Sequence, residues 1–297
     1  MLNLIPQNLF TINFNMKEVK IRMSFPTEST STYAARNIKS LAIQAYQDTL
    51  ANKDCADKID AIGTQIADLF VFIYGYTAID NSEGIDTDDE ILNWTFIDVM
   101  DDLNAANWNI ACGFYKAAAS CLRNALDVSN AALYFQIHEN DHSKKNKTGY
   151  NSEFSKWDSG LSKTPNWGTT TSLIKKQPNV QKFNSEYSWE FPKDCLNFYH
   201  YLCNFSHGRP FANDKTPTNS MNLGYNAPQL EEDLFERFTE LAEITIAWIS
   251  TMWLITFPQI LSTDPLGDLS TFYPYKEILN SSKGKDALEF AKKVCNL

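Results

Sequence analysis

The pattern of apolar and polar positions changes period near residue 26. Before it, Phe10, Ile12, Phe14 and Met16 alternate with polar residues, and Val19, Ile21, Met23 and Phe25 do so again. Period-two alternation over two runs predicts a β-hairpin or strand pair across residues 1–26, which alone would be marginally stable. After it, helical spacing takes over. Thr27 or Ser29 can cap a helix reaching about Ala51, and Ile59, Ile62, Ile66, Leu69 and Phe70 predict a second over about Ala56 to Tyr76. Asp86 or Thr87 opens a third, with acids in its first turn to suit the helix dipole, running to about Asn104. A fourth is predicted from near Asn107 to Ile137. The fold class expected is mainly α: a helical bundle over residues 27–297 behind the short N-terminal β element.

Residues 138–190 interrupt this pattern. They are polar, lysine-rich and punctuated by Gly149, Gly160, Pro165, Gly168 and Pro178. They read as a long irregular excursion with at most a short helix near Thr171 to Lys176, a length of loop that tends to carry function. A helix with Pro192 at its first position then runs to Gly208. Another spans Pro228 to Phe257, and a last piece covers Lys285 to about Val294. Ile244 to Thr263 holds twenty residues without a charge, the length of a membrane span. Its hydroxyl and amide side chains, among them Thr245, Ser250, Thr251, Thr256, Gln259 and Ser262, together with Pro258 and the acidic start Glu231-Glu232-Asp233, favour a buried core helix, so no membrane partner is expected.

Charge adds a segregation. The net charge of −10 argues against a protein that coats nucleic acid through phosphate neutralisation. Nine acids and no base lie between Asp80 and Asp102, whereas eight lysines face two acids between Lys144 and Lys182. Such blocks are solvated surface, pair across a protein–protein contact, or give an acidic protein one local anion-binding face. The six cysteines form no CxxC pair, and the apolar start has no basic leader region, so reduced thiols in a cytoplasmic protein are expected.

On the fourth helix, Tyr115, Ala119, Leu122, Leu126, Ser129 and Leu133 make one stripe, with Arg123, Asp127, Asn130 and Tyr134 beside it. Arg123 and Asp127 are i,i+4 neighbours able to form an ion pair. That pair either orients the bundle or offers a guanidinium to an anion. On the later helix Leu196, His200, Cys203 and His207 share a face. His207, at a helix end beside Gly208, is either a hydrogen-bonded core residue or an acid–base group. His and Cys at this spacing could ligate zinc only with help from elsewhere, so no metal is expected. The P-loop, dinucleotide-fold, hydrolase-elbow and zincin motifs are missing, and no cofactor is expected.

These segments carry a resemblance. Tyr115, Ala117, Ala118, Leu122, Arg123 and Leu126, with Asp127 in place of Glu, are similar to a Y-x-A-A-x-x-x-L-R-x-x-L-E helix. Leu202, Ser206, His207 and Gly208 are similar to an L-S-x-x-S/V-H-G/P helix end. The pairing resembles that of bacterial all-helical HEPN-like proteins of uncharacterised type, many of them from toxin–antitoxin and antiphage systems. It covers about Trp108 to Pro210. Catalytic HEPN ribonucleases carry Arg and His on one helix with four to six residues between them. No arginine here has a His at that spacing, so the resemblance brings nuclease chemistry only where Arg123 and His207 meet in space.

The resemblance implies a cytoplasmic bacterial defence or toxin-type protein that acts on RNA or partners an effector. The alternative is a non-catalytic interaction or oligomerisation module. Candidate catalytic residues are Arg123, Asp127 and His207, expected within one contact of each other with Asp127 or Tyr115 bridging. Candidate binding residues are Tyr115, Lys144, Lys145, Lys147, Lys175 and Lys176. The lysines interleave with Tyr150, Phe154, Trp157 and Trp167. That mixture suits single-stranded RNA, an acidic protein partner such as a second copy, or a passive loop pinned by its rings.

Overall fold

The computed structural model describes residues 10–14, 17–21, 30–80, 90–143, 153–187, 189–206, 228–258 and 282–296. The chain divides into two compact units, Met1–Leu41 and Ala42–Leu297. In the first, the backbone segments Phe10–Phe14 and Lys17–Ile21 lie antiparallel with Phe10 opposite Ile21. The helix α1, Thr30–Ala51, starts in that unit. The division between the units therefore falls inside this helix.

The described residues are mainly helical, as the spacing predicts. The second unit continues with α2 (Lys53–Asp80), α3 (Glu90–Ala111), α4 (Tyr115–Ser143), α5 (Glu153–Asp158), α6 (Trp167–Ile174), α7 (Pro178–Tyr187), α8 (Lys193–Ser206), α9 (Glu232–Thr256) and α10 (Ser282–Cys295). The helix α4 is the central one, with α3, α5, α6, α8 and α9 all packed on it.

The α3–α4 break corrects the expected boundary at 104–107. The helix α3 runs on to Ala111 and ends where Gly113 turns left-handed at φ +74°. Gly113 N–H bonds the Ile110 carbonyl at 3.0 Å and Phe114 N–H the Asn109 carbonyl at 2.7 Å, a Schellman closure. A Cβ at Gly113 would lie 2.4 Å from the Gln229 carbonyl oxygen, so both the turn and the close approach require glycine.

All six residues of the Tyr115–Leu133 stripe are buried. Ser129, the one hydroxyl among the aliphatics, accepts a hydrogen bond from Trp253 Nε1 at 3.1 Å. The uncharged run near the chain's end belongs to α9, whose residues are buried from Thr245 onward except for the half-buried Ala247. Its hydroxyls bond their own backbone one turn earlier: Thr245 to Leu241 at 2.7 Å, Ser250 to Ile246 at 3.0 Å and Thr256 to Met252 at 2.7 Å. Among the described residues α9 is the one helix long and apolar enough to cross a membrane, and 78% of that window is buried inside the protein.

The excursion differs most from expectation. The helix α4 runs on to Ser143 rather than ending at Ile137, and beyond it the described part holds three short packed helices, α5, α6 and α7, in place of the expected irregular loop. Trp167, Thr170, Thr171 and Ile174 recur at steps of three and four and place one face of α6 in the core, and Val180 and Phe183 do the same for α7. Polar composition hid this, because short helices exposed on one side show few apolar residues in a row.

Candidate functional site

Arg123 and Asp127 sit one turn apart on α4, facing α8 and α6. The guanidinium Nη2 is 2.9 Å from Asp127 Oδ2, and the two side chains keep about a quarter of their surface exposed, 27% and 24%. The same Nη2 donates to the Tyr199 hydroxyl, and Nε donates to Cys203 Sγ at 3.3 Å. Tyr199 in turn donates its hydroxyl proton to Asp127 Oδ2 at 3.2 Å, while Trp167 Nε1 donates to Oδ1. Both carboxylate oxygens are thus occupied by donors from three helices. The Trp167 and Tyr199 rings stack at 4.5 Å and 26°, and the Arg123 guanidinium carbon lies 5.0 Å from the Tyr199 ring centre.

The electrostatics follow from this packing. Burial opposes the Arg123 charge, but the bond to Cys203 and the Asp127 carboxylate outweigh it and raise the pKa above the ordinary arginine value. Burial, and then the negative Asp127, push the Tyr199 phenol up, so it stays a neutral donor. Chemically the cluster is a guanidinium with its Nε–Nη2 edge turned inward, held by a carboxylate that also accepts from Tyr199 and Trp167.

Of the expected site residues, Arg123 and Asp127 are together. His207 lies outside the described residues, as do Lys144, Lys145 and Lys147. Tyr115 is at a different junction. Its hydroxyl donates to the Glu231 carbonyl at 3.4 Å and accepts from the Glu231 N–H at 3.2 Å, so it ties the start of α4 to the start of α9. Burial pushes its pKa up to about 12. Tyr199 bonds both Arg123 and Asp127, and the expected bridge from Arg123 to His207 lies outside the described residues. Lys175 and Lys176 are exposed at the end of α6. His200 is exposed and Cys203 points to Arg123, so the shared face does not assemble His200 with Cys203. Among the described residues no three His, Cys, Asp or Glu gather to hold a metal ion.

Sequence reasoning missed Trp167 and Tyr199 as members of the cluster. Tyr199 stands one turn before Cys203, a signal that was present. Trp167 opens the step pattern of α6, which only a helical reading of the excursion would have shown. Comparison of the chain with protein-family models, with curated proteins and with solved structures finds no match.

Proposed function

We propose that this chain is a HEPN-like helical protein of the bacterial defence or toxin type, carrying an N-terminal β-hairpin, and that it works in the cytoplasm as the binding partner of an effector. The observation that carries the binding reading is the closed Arg123–Asp127 cluster. A guanidinium grips a phosphodiester bidentately through a donor edge, and Arg123 spends its Nε–Nη2 edge on Cys203, Tyr199 and Asp127. The burial of Phe154 and Trp167 supports the same reading, since rings pinned to the bundle offer no face to a base.

RNA is the second reading, favoured by the exposed Lys175 and Lys176 at the far end of α6 from Trp167. The two separate in one assay. Full-length protein incubated with labelled single-stranded RNA should cleave none above buffer, and Arg123→Lys should behave identically. RNA cleavage by the wild type that disappears in an Arg123→Lys variant of unchanged melting would replace the partner reading with a catalytic arginine.

A further inference from the structure

The helix α8 presents a phenol to an arginine on each of two other helices. Tyr199 meets Arg123 of α4, and Tyr201 meets Arg237 of α9. In both, the guanidinium Nη2 donates to the phenol oxygen, and the guanidinium carbon lies 5.0 Å from the Tyr199 ring centre and 5.9 Å from that of Tyr201. In the first arrangement one oxygen, Asp127 Oδ2, accepts from Nη2 at 2.9 Å and from the Tyr199 hydroxyl at 3.2 Å. The second arrangement lacks that oxygen. Among the described residues Arg237 forms no ion pair, its Nε is buried without an acceptor, and the Tyr201 hydroxyl proton has no acceptor either. Asp233 and Glu240 stand about one turn to either side along α9, but both are exposed and neither pairs with Arg237. Buried Phe205 sets a second ring 5.9 Å from the same guanidinium carbon. The cation is thus walled by rings where Arg123 has a carboxylate, and a partly desolvated charge without a counter-charge costs free energy.

We propose that Arg237 and Tyr201 form a receptor for a carboxylate from outside this chain, whose oxygen takes the place that Asp127 Oδ2 takes at Arg123 and Tyr199. The filled arrangement one helix away fixes the ligand chemistry: a single oxygen reached by one guanidinium N–H and one phenol O–H. Such an oxygen bonds Nη2, not the buried Nε, and Arg237 and Tyr201 are only half-buried, so their outer atoms meet solvent. The exposed Asp233 and Glu240 penalise a phosphate dianion about twice as much as a carboxylate, which favours the singly charged ligand. An acidic side chain on a partner protein and a small carboxylic acid share this chemistry. The site stands on its own geometry and not on the partner reading, so the RNA-cleavage assay and a carboxylate titration can fail independently.

The test titrates the isotope-labelled full chain with sodium acetate against chloride at equal ionic strength, followed at the arginine Nε–H resonances. Arg22, Arg36, Arg123, Arg209 and Arg237 are the only arginines, so the spectrum is sparse. The Arg237 resonance, identified by its loss in Arg237→Lys, should shift saturably, while that of Arg123 stays in place because Asp127 already fills its site. Tyr201→Phe keeps the ring and removes the hydroxyl, and should weaken acetate about tenfold, the size of one hydrogen bond to a charged group. A blocked peptide with one glutamate is the second arm, and its glutamine counterpart should shift nothing. Peptide binding tighter than acetate assigns the site to an acidic protein surface, and weaker binding assigns it to a small carboxylic acid. Absence of a saturable Arg237 shift with either probe overturns the proposal. So does an affinity unchanged in Tyr201→Phe, or inorganic phosphate binding more tightly than both probes. The wild-type titration decides even where a variant loses its fold.

Discussion

Two ion pairs in this chain join the same kinds of group and are built in different ways. Arg123–Asp127 lies where α4, α6 and α8 meet, with Tyr199 and Trp167 also donating to the carboxylate. Lys58–Glu236 links α2 to α9 across the surface, with side chains 40% and 55% exposed. In the second, water competes for both charges, and such pairs contribute about 0–1 kcal/mol. In the first, a helical i,i+4 spacing that would be worth only about 0.2–0.5 kcal/mol on an exposed helix has become the centre of a network. Removing one member there strands the others. Spacing makes a pair available, and neighbours decide what it is worth.

The largest expected effect comes from breaking that centre. Asp127→Ala leaves a half-buried guanidinium, an indole N–H and a phenol without their acceptor. It should cost about 3 kcal/mol, below the ceiling for a fully buried pair because a quarter of each side chain reaches water. Urea unfolding checks this, and a loss under about 1 kcal/mol would put the pair in the same class as Lys58–Glu236.

Next comes alkaline pH, which sets Tyr115 beside the cluster. Its folded pKa of about 12 lies above the unfolded value near 10. The neutral form is favoured in the fold, so stability is complete below pH 10 and falls as pH rises towards 12. The fall from this residue is about 2–3 kcal/mol. The raised Tyr199 adds to the loss in the same direction. Melting curves from pH 9 to 12 should steepen downward, and Tyr115→Phe should flatten part of that slope. A slope unchanged in the variant would remove Tyr115 from the account.

A smaller effect is expected for Trp167→Phe, which keeps an aromatic ring against Tyr199 but takes the donor from Asp127 Oδ1. Water can partly replace it, so a loss of about 1 kcal/mol should appear in urea unfolding. The smallest belongs to the surface pair. Lys58→Met should change stability by no more than about 0.5 kcal/mol, and a loss above 1 kcal/mol would erase the contrast between the two pairs.

Much of the helical scaffold was legible because its stripes are long and regular. The Tyr115–Leu133 stripe is buried at every position, and the Arg123–Asp127 pair follows from spacing alone. Four things were not legible. The end of α3 was read too early because Asn104 and Asn107 look like helix ends, while the true terminator is Gly113, whose need for a left-handed turn depends on Gln229 far along the chain. The excursion was read as irregular because its helices are short and its apolar residues sparse. Trp167 and Tyr199 were missed because their roles are tertiary, and no local period shows which ring will meet which carboxylate. Tyr115 was placed with Arg123 on the strength of a shared motif, whereas its partner is the Glu231 backbone, 116 residues later.

Arg123 is committed to Asp127 inside the bundle, and a double-mutant cycle measures that commitment most directly. Arg123→Met, Asp127→Leu and the double variant should be unfolded in urea beside the wild type. The predicted result is a coupling of about 2 kcal/mol, with the double variant less damaged than the sum of the singles, because removing both charges strands neither. Additive losses, with coupling near zero, would contradict it and leave Arg123 available for a ligand outside the cluster.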